Sequence, residues 1–104
     1  MKIKLFHNVS CHAWQQAESE LEKALKEAGI KADHQVIVVE SQKQAEEYKF
    51  PGSPTIQIDG KDIDPAAAKI TQFAVDACRP YFWQGKAYDF PTKEMIFVAL
   101  KNLV

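Results

Sequence analysis

Four side chains in this sequence could act as nucleophiles, proton carriers or metal ligands: His7, Cys11, His12 and Cys78. A cysteine becomes reactive when its surroundings favour the thiolate over the thiol. Cys11 follows a short apolar run and the turn-forming residues Asn8 and Ser10. We predict that Ser10 caps a helix and that Cys11 occupies its first position, where unpaired N–H groups and the helix dipole stabilise a thiolate. The competing interpretation is an inert cysteine that merely follows a cap.

The neighbours of Cys11 have two interpretations each. His12 adds positive charge beside the thiol, or it is a solvated residue at a helix start. Trp14 packs on the inner or rim face of the helix, or it forms the wall of a binding surface. Cys78 is either a second thiol that the fold brings near Cys11 or a small core residue, and the core interpretation is favoured because free cysteine is often buried. No pair of these residues has the spacing of a structural zinc site, so no metal is predicted.

Length and composition are typical of one soluble globular domain spanning residues 1–104. The hydrophobic content is 46% and the charged content 26%, which are ordinary values. A net charge of −1 gives no field that would gather nucleic acid or an anionic membrane. The apolar runs are too short for a signal peptide or a membrane span. We therefore expect a cytoplasmic protein without nucleic-acid or membrane partners, in which two cysteines do not form a disulfide framework.

The elements that would position these residues alternate between strand and helix. Residues 2–6 predict a buried strand, and the apolar stripe from Trp14 to Ala28 predicts a long helix that ends at Gly29. The β-branched run of residues 36–39 predicts a parallel strand covered on both faces. These three elements form a βαβ unit.

In the second half of the chain, the turn-forming residues are easier to identify than periodic patterns of apolar residues. The Ser41 and Gln44 pair predicts the capping box of a short helix over 41–49, and Asp59-Gly60 predicts a tight hairpin between strands 55–58 and 61–63. Asp64-Pro65 predicts the start of a helix that runs to about Ala77. The remaining expectations are an extended segment over 78–83, a turn at 84–85, a strand over 86–90 and a final helix opened by Pro91-Thr92.

Two motifs carry a resemblance to a known family. The first is Cys11-His12-Ala13-Trp14, and the second is Gly52-Ser53-Pro54-Thr55. In this order of elements, they resemble the C-x-x-C motif and the cis-proline loop of the thioredoxin-like superfamily, in particular small bacterial members with a single-cysteine C-x-x-W variant. The resemblance implies an α/β fold with a central mixed sheet of about four strands in the order β-α-β-α-β-β-α. It also implies an insertion before the last helix.

The resemblance also implies roles for the residues that match. Cys11 would be the attacking thiol and Pro54 a cis-proline, whereas an ordinary trans turn is the alternative for Pro54. The backbone of Ser53 would offer a free edge where a peptide or glutathione pairs as an added strand. The implied substrate-binding residues are His12, Trp14, Ser53, Pro54 and Thr55. Trp14 stands where the second, resolving cysteine of the family would lie, so Cys78 or an external thiol would have to complete an exchange.

Three functions follow from these observations. The preferred one is single-cysteine thiol–disulfide exchange or glutathione-linked redox chemistry through Cys11, with glutathione as co-substrate and no other cofactor. The alternative is a non-catalytic module that binds a peptide or partner beside Pro54. A weaker alternative is soft-metal binding by Cys11 and Cys78, because thiolates suit such metals.

Overall fold

A computed structural model describes the backbone of residues 1–103 and the side chains of residues 1–102. Its strands and helices within that range are β1 (Ile3–Asn8), α1 (Trp14–Ala28), β2 (His34–Val39), α2 (Gln42–Glu47), β3 (Thr55–Ile58), β4 (Lys61–Asp62), β5 (Tyr81–Trp83), β6 (Lys86–Tyr88) and α3 (Lys93–Leu103). None of the described helices is long and apolar enough to cross a membrane.

The fold is mixed α/β, with a central four-stranded sheet in the order β2-β1-β3-β4. β1 pairs in parallel with β2 and antiparallel with β3, and β3 continues antiparallel into β4. Asp59 and Gly60 form the hairpin turn, with φ angles of 51° and 81°, which is the type I′ geometry that the sequence predicts. The β5–β6 hairpin forms a separate sheet and is the insertion expected before the last helix.

The two faces of the sheet bury different apolar clusters. Ile3 and Leu5 of β1 face α1 and α3, whose inner residues include Leu21 and Leu100. Phe6, which points to the opposite face because side chains alternate along a strand, packs with a second cluster formed by Val39, Ala45 and Phe50. The helices therefore cover both faces of β1, and both ends of this strand are held in the core.

Two predicted elements differ from the structure. β2 is parallel to β1 as expected, but it is an edge strand, and Val36 and Val38 are 38% and 39% exposed. The expectation that it is covered on both faces is therefore wrong. The predicted helix from Pro65 to about Ala77 is also wrong, because only a five-residue 3-10 turn forms over Pro65–Lys69. No side chain of that turn is buried, so an alanine stripe there has no core to pack against.

Candidate functional site

Cys11 lies in a loop of residues 9–13, which we name the Cys11 loop, and not at the first position of α1. The helix begins at Trp14, and its N-cap residue Ala13 makes no side-chain capping bond. Ser10 does not cap the helix either, because its hydroxyl donates to the Asn8 side chain at 3.5 Å. The Cys11 N–H bonds the Asn8 carbonyl at 3.4 Å, so a turn at the end of β1 replaces the predicted helix start. Cys11 is half-buried and makes no disulfide.

Asn8 is hydrogen-bonded to three segments of the candidate site. Besides its carbonyl bond with Cys11, its N–H donates to the Ser53 hydroxyl at 3.2 Å. Its side-chain amide donates to the carbonyls of Val75 and Ala77 at 3.1 and 3.3 Å. Asn8 is 3% exposed. A single buried asparagine, through its backbone and its side chain, therefore connects the Cys11 loop, the Ser53–Pro54 loop and the segment that carries Cys78.

His7 and Trp14 form a stacked pair beside this junction. Their ring centroids are 4.5 Å apart and the rings are within 6° of parallel. The His7 Nδ1 atom lies 2.8 Å from the Asn8 carbonyl oxygen, and because a carbonyl only accepts, Nδ1 is the donor of this hydrogen bond. Trp14 is half-exposed and also packs on the α1 side of the core. This packing is what the interpretation of Trp14 on the inner or rim face of the helix expects, and its role as the wall of a binding surface stays a prediction.

The Ser53–Pro54 peptide bond is cis, the isomer expected for the second motif. Ser53 nevertheless offers no free edge, because its N–H donates to the Ala77 carbonyl at 2.9 Å and its carbonyl accepts from Arg79 N–H at 3.0 Å. These bonds form a parallel bridge between Ser53 and Cys78. The expectation of an open strand edge at Ser53 is wrong, since a segment of the same chain already pairs there. Ser53 and Pro54 are both buried.

We name residues 73–79 the edge segment, and its first half is fastened to α2. The Gln42 side chain donates to the Phe73 carbonyl at 2.6 Å and accepts from the Val75 N–H at 3.2 Å. Phe73 and Val75 pack against the cluster around Phe6 and Phe50. The edge segment is therefore held by side-chain burial as well as by hydrogen bonds.

The other end of the edge segment is anchored by Arg79, which is 9% exposed. Its guanidinium donates to both carboxylate oxygens of Asp62, at 2.6 and 2.9 Å, and to the Thr55 hydroxyl at 3.2 Å. Burial lowers the pKa of Arg79, but the hydrogen bond to Asp62 and the surrounding negative charges outweigh it, so the net pKa is raised. The guanidinium also lies over the Tyr81 ring at 4.7 Å. Arg79 thus remains a cation in a nearly closed pocket.

Tyr81 and Thr55 complete this anchor. The buried Tyr81 hydroxyl donates to the Pro54 carbonyl, and burial raises the pKa of that hydroxyl. The Thr55 hydroxyl donates to the Gly52 carbonyl at 2.6 Å. Gly52 itself leaves room for the edge segment, since a Cβ atom there would lie 2.9 Å from the Arg79 Cβ. Thr55, which the resemblance placed among substrate-binding residues, is fully buried. Its hydroxyl takes part in these internal hydrogen bonds.

The two remaining predicted residues are exposed. His12 lies on the surface of the Cys11 loop. Cys78 is exposed as well, so its interpretation as a core residue is wrong. Its backbone is fixed by the bridge to Ser53 while its side chain faces solvent. Asn8 was expected only as a turn residue, and Gln42 and Arg79 were not predicted as part of the site. All three are polar residues with several hydrogen-bond donors next to turn or cap residues, and this was the signal in the sequence that could have indicated them.

Among the described residues, one group of three side chains could hold a metal ion. The His34 Nε2 atom lies 2.8 Å from a Glu18 carboxylate oxygen, and Glu22 is close to both. The hydrogen bond between His34 and Glu18 connects α1 to the start of β2. No comparable group of three includes Cys11 or Cys78 in the described part of the chain. A soft metal at the thiols would therefore have at most those two protein ligands.

Comparisons with known proteins give one match. Searches of curated proteins and of solved structures found no similar protein. A family model described as a domain of unknown function, DUF2703, matches residues 8–100. The match begins at Asn8 and includes the Cys11 loop, the Ser53–Pro54 loop and the edge segment. Because the model covers most of the sequence, the chain belongs to the DUF2703 family.

Proposed function

We propose that this chain is a thioredoxin-like thiol protein that exchanges disulfides through Cys11. The observation that carries the proposal is the junction at Asn8. Its hydrogen bonds gather the Cys11 loop, the cis Ser53–Pro54 loop and the segment that bears Cys78 around one buried residue. A cysteine, a cis-proline and a second cysteine thus belong to one connected network, although they are distant in sequence.

The exchange begins with the Cys11 thiolate attacking a substrate disulfide. A bond forms between Cys11 Sγ and one substrate sulfur, the substrate S–S bond breaks, and the other sulfur leaves as a thiolate that takes up a proton. A second thiol then breaks the mixed disulfide. If that thiol is glutathione, it attacks the substrate sulfur, Cys11 leaves as the regenerated thiolate, and the glutathione–substrate disulfide that forms is reduced by a further glutathione. If it is Cys78, it attacks the Cys11 sulfur, the substrate leaves as a thiol, and the resulting Cys11–Cys78 disulfide must be reduced by external thiols. In both cases two electrons pass from external thiols to the substrate.

The test compares Cys11→Ser, Cys78→Ser and the natural chain in an assay with hydroxyethyl disulfide and glutathione. We expect Cys11→Ser to reduce turnover to the background rate, because the nucleophile is lost. Cys78→Ser keeps its turnover if glutathione is the second thiol and loses most of it if Cys78 is. A Cys11→Ser variant that is folded and as active as the natural chain would refute the proposal.

Oxidation of the isolated chain separates the two routes to the second thiol. Treatment with diamide, followed by mass measurement and peptide mapping, shows whether one monomer loses two hydrogen atoms and links Cys11 to Cys78. A disulfide requires Cα atoms within about 7 Å. The linked product supports the two-cysteine route, and a monomer with both thiols alkylatable supports the glutathione route.

The alternative of a peptide-binding module is less well supported at this edge. Added-strand binding relies on main-chain groups that are unpaired, whereas both backbone groups of Ser53 are already bonded. Soft-metal capture remains the weaker proposal. Titration of the reduced chain with a thiophilic metal tests it, and a defined stoichiometry that disappears in the Cys11→Ser variant would favour it.

A further inference from the structure

We propose that the substrates of Cys11 are low-molecular-weight disulfides and that polypeptide disulfides are disfavoured, because the edge segment occupies the position where an extended chain would pair. The inference rests on the proposed exchange at Cys11 and names its substrate class. It also assigns a specificity role to residues that touch neither thiol, in particular Gln42 and Phe73.

The backbone groups that a polypeptide substrate would need are those of Ser53, which Asn8 joins to the Cys11 loop. An extended peptide gains affinity for a sheet edge mainly through main-chain hydrogen bonds. At Ser53 the available donor and acceptor are both used by Ala77 and Arg79, at 2.9 and 3.0 Å. A polypeptide substrate would have to displace these bonds before it could make its own. A small disulfide does not depend on such pairing and needs only to reach the Cys11 sulfur.

The edge segment is also costly to displace. Its Phe73 and Val75 side chains are packed against the core cluster around Phe50. Its Arg79 end holds a bidentate ion pair with Asp62 in a buried position, and removing one partner of such a pair is strongly destabilising. The edge segment therefore already occupies this edge through its bridge to Ser53, and competition with an incoming peptide favours the native pairing.

The solvent-facing side of Cys11 remains open to small molecules. Cys11 is half-buried, and its neighbours Val9 and His12 are exposed, Val9 by 76%. None of the hydrogen bonds described for the edge segment involves the Cys11 side chain. A compact disulfide can thus approach the sulfur from solvent while the edge segment stays paired.

The experiment uses two mixed disulfides with the same leaving group. Free cysteine and a short peptide with one central cysteine are each coupled to thionitrobenzoate, and its release is followed by absorbance in single-turnover reactions. The full chain carries Cys78→Ser, so that the exposed second thiol does not contribute. We expect the cysteine derivative to react about tenfold faster than the peptide, the factor that one or two missing main-chain hydrogen bonds correspond to.

Variants then loosen the edge segment away from the thiol. Gln42→Ala removes both side-chain bonds to Phe73 and Val75, and Phe73→Ala removes apolar packing. We expect both to raise the peptide rate while leaving the cysteine rate unchanged. Lys43→Ala, at an exposed neighbouring position, is the matched control and should change neither rate.

The outcomes separate the two proposals. If neither disulfide reacts faster with this protein than with the chain lacking both cysteines, the exchange at Cys11 fails. If both react and the peptide is as fast as the cysteine derivative, the exchange stands and the substrate class proposed here is overturned. Hydrogen exchange at the amides of residues 75–79 verifies that Gln42→Ala loosens the segment, and faster exchange together with an unchanged rate ratio would also overturn the proposed substrate class.

Discussion

The Cys11 loop and the edge segment meet at Asn8 but are held very differently. The Cys11 loop makes two weak bonds to Asn8, at 3.4 and 3.5 Å, and precedes a helix without a side-chain cap. The edge segment is fixed by Gln42, Asn8 and Ser53, and by the buried Arg79 with its bidentate partner Asp62. In the function proposed above, the weakly held loop carries the reactive atom and the firmly held edge segment restricts which substrates reach it.

The largest expected effect is at the anchor of the edge segment. Arg79→Ala leaves the carboxylate of Asp62, 12% exposed, without its partner, and should lower the free energy of unfolding by about 3–5 kcal/mol. Urea denaturation measures it. The matched control is Lys23→Ala, which breaks the surface pair with Glu20 and should cost less than about 1 kcal/mol. Equal costs for the two variants would show that the anchor is no stronger than a surface pair.

Asn8 is the residue where the two regions can be compared directly. Asn8→Ala removes two side-chain bonds to the edge segment and should cost about 1–3 kcal/mol, given about 0.5–1.5 kcal/mol for each. Ser10→Ala removes only the 3.5 Å contact on the side of the Cys11 loop and should cost less than about 0.5 kcal/mol. Thermal or urea unfolding of both variants provides the comparison, and it fails if Ser10→Ala is the more damaging.

The pH dependence of the free energy of unfolding is a further test of the anchor of the edge segment, to which Tyr81 belongs. Burial raises the pKa of the Tyr81 hydroxyl from its ordinary 10.0, so the native state holds this proton more tightly than the unfolded chain. The resulting stability is complete below pH 10.0 and is lost as the pH rises above it, at up to about 1.4 kcal/mol per pH unit. Urea unfolding of Tyr81→Phe should lack this part of the slope. Tyr88→Phe, at a half-exposed position, should retain it, and identical slopes in all three proteins would contradict the expectation.

The smallest expected loss of stability distinguishes Ser41, which caps a helix, from Ser10, which does not. The Ser41 hydroxyl accepts from the Gln44 N–H at 3.1 Å, so Ser41→Ala should cost about 1 kcal/mol. Ser10 has a similar sequence context but no capping bond, and its replacement by alanine should be nearly neutral. Chemical denaturation of the two single variants tests this, and a Ser10→Ala cost equal to that of Ser41→Ala would restore the helix start at Cys11.

Local signals predict much of the fold from the sequence. Gly29 ends α1 in the left-handed region, with φ of 70°. Ser41 caps α2, and Asp59-Gly60 makes the hairpin as expected. In each case the interaction partner lies within a few residues, so the sequence contains the whole cause. The four-stranded mixed sheet follows because β1, β2 and β3 have clear apolar patterns and a helix connects each successive pair.

The features that the sequence does not reveal depend on distant partners. The helix predicted up to Ala77 fails because Phe73 and Val75 find core contacts with α2 and because Arg79 pairs with Ser53 and Asp62. These tertiary interactions outweigh the modest helix propensity of an alanine-rich stretch. The predicted helix start at Cys11 fails for a local reason, since Asn8 competes for the N–H and hydroxyl groups that follow it.

The close packing of the edge segment against Gly52 restricts how the sequence can vary at position 52. A Cβ atom there would meet the Arg79 Cβ at 2.9 Å, with backbone atoms of residues 78 and 79 only slightly farther away. The residue at position 52 and the path of the edge segment are therefore sterically coupled. Among relatives, we expect a side chain at position 52 only where the edge segment is shortened or rerouted. Such a pair of changes would mark the members of the family whose Ser53 edge is open to other chains.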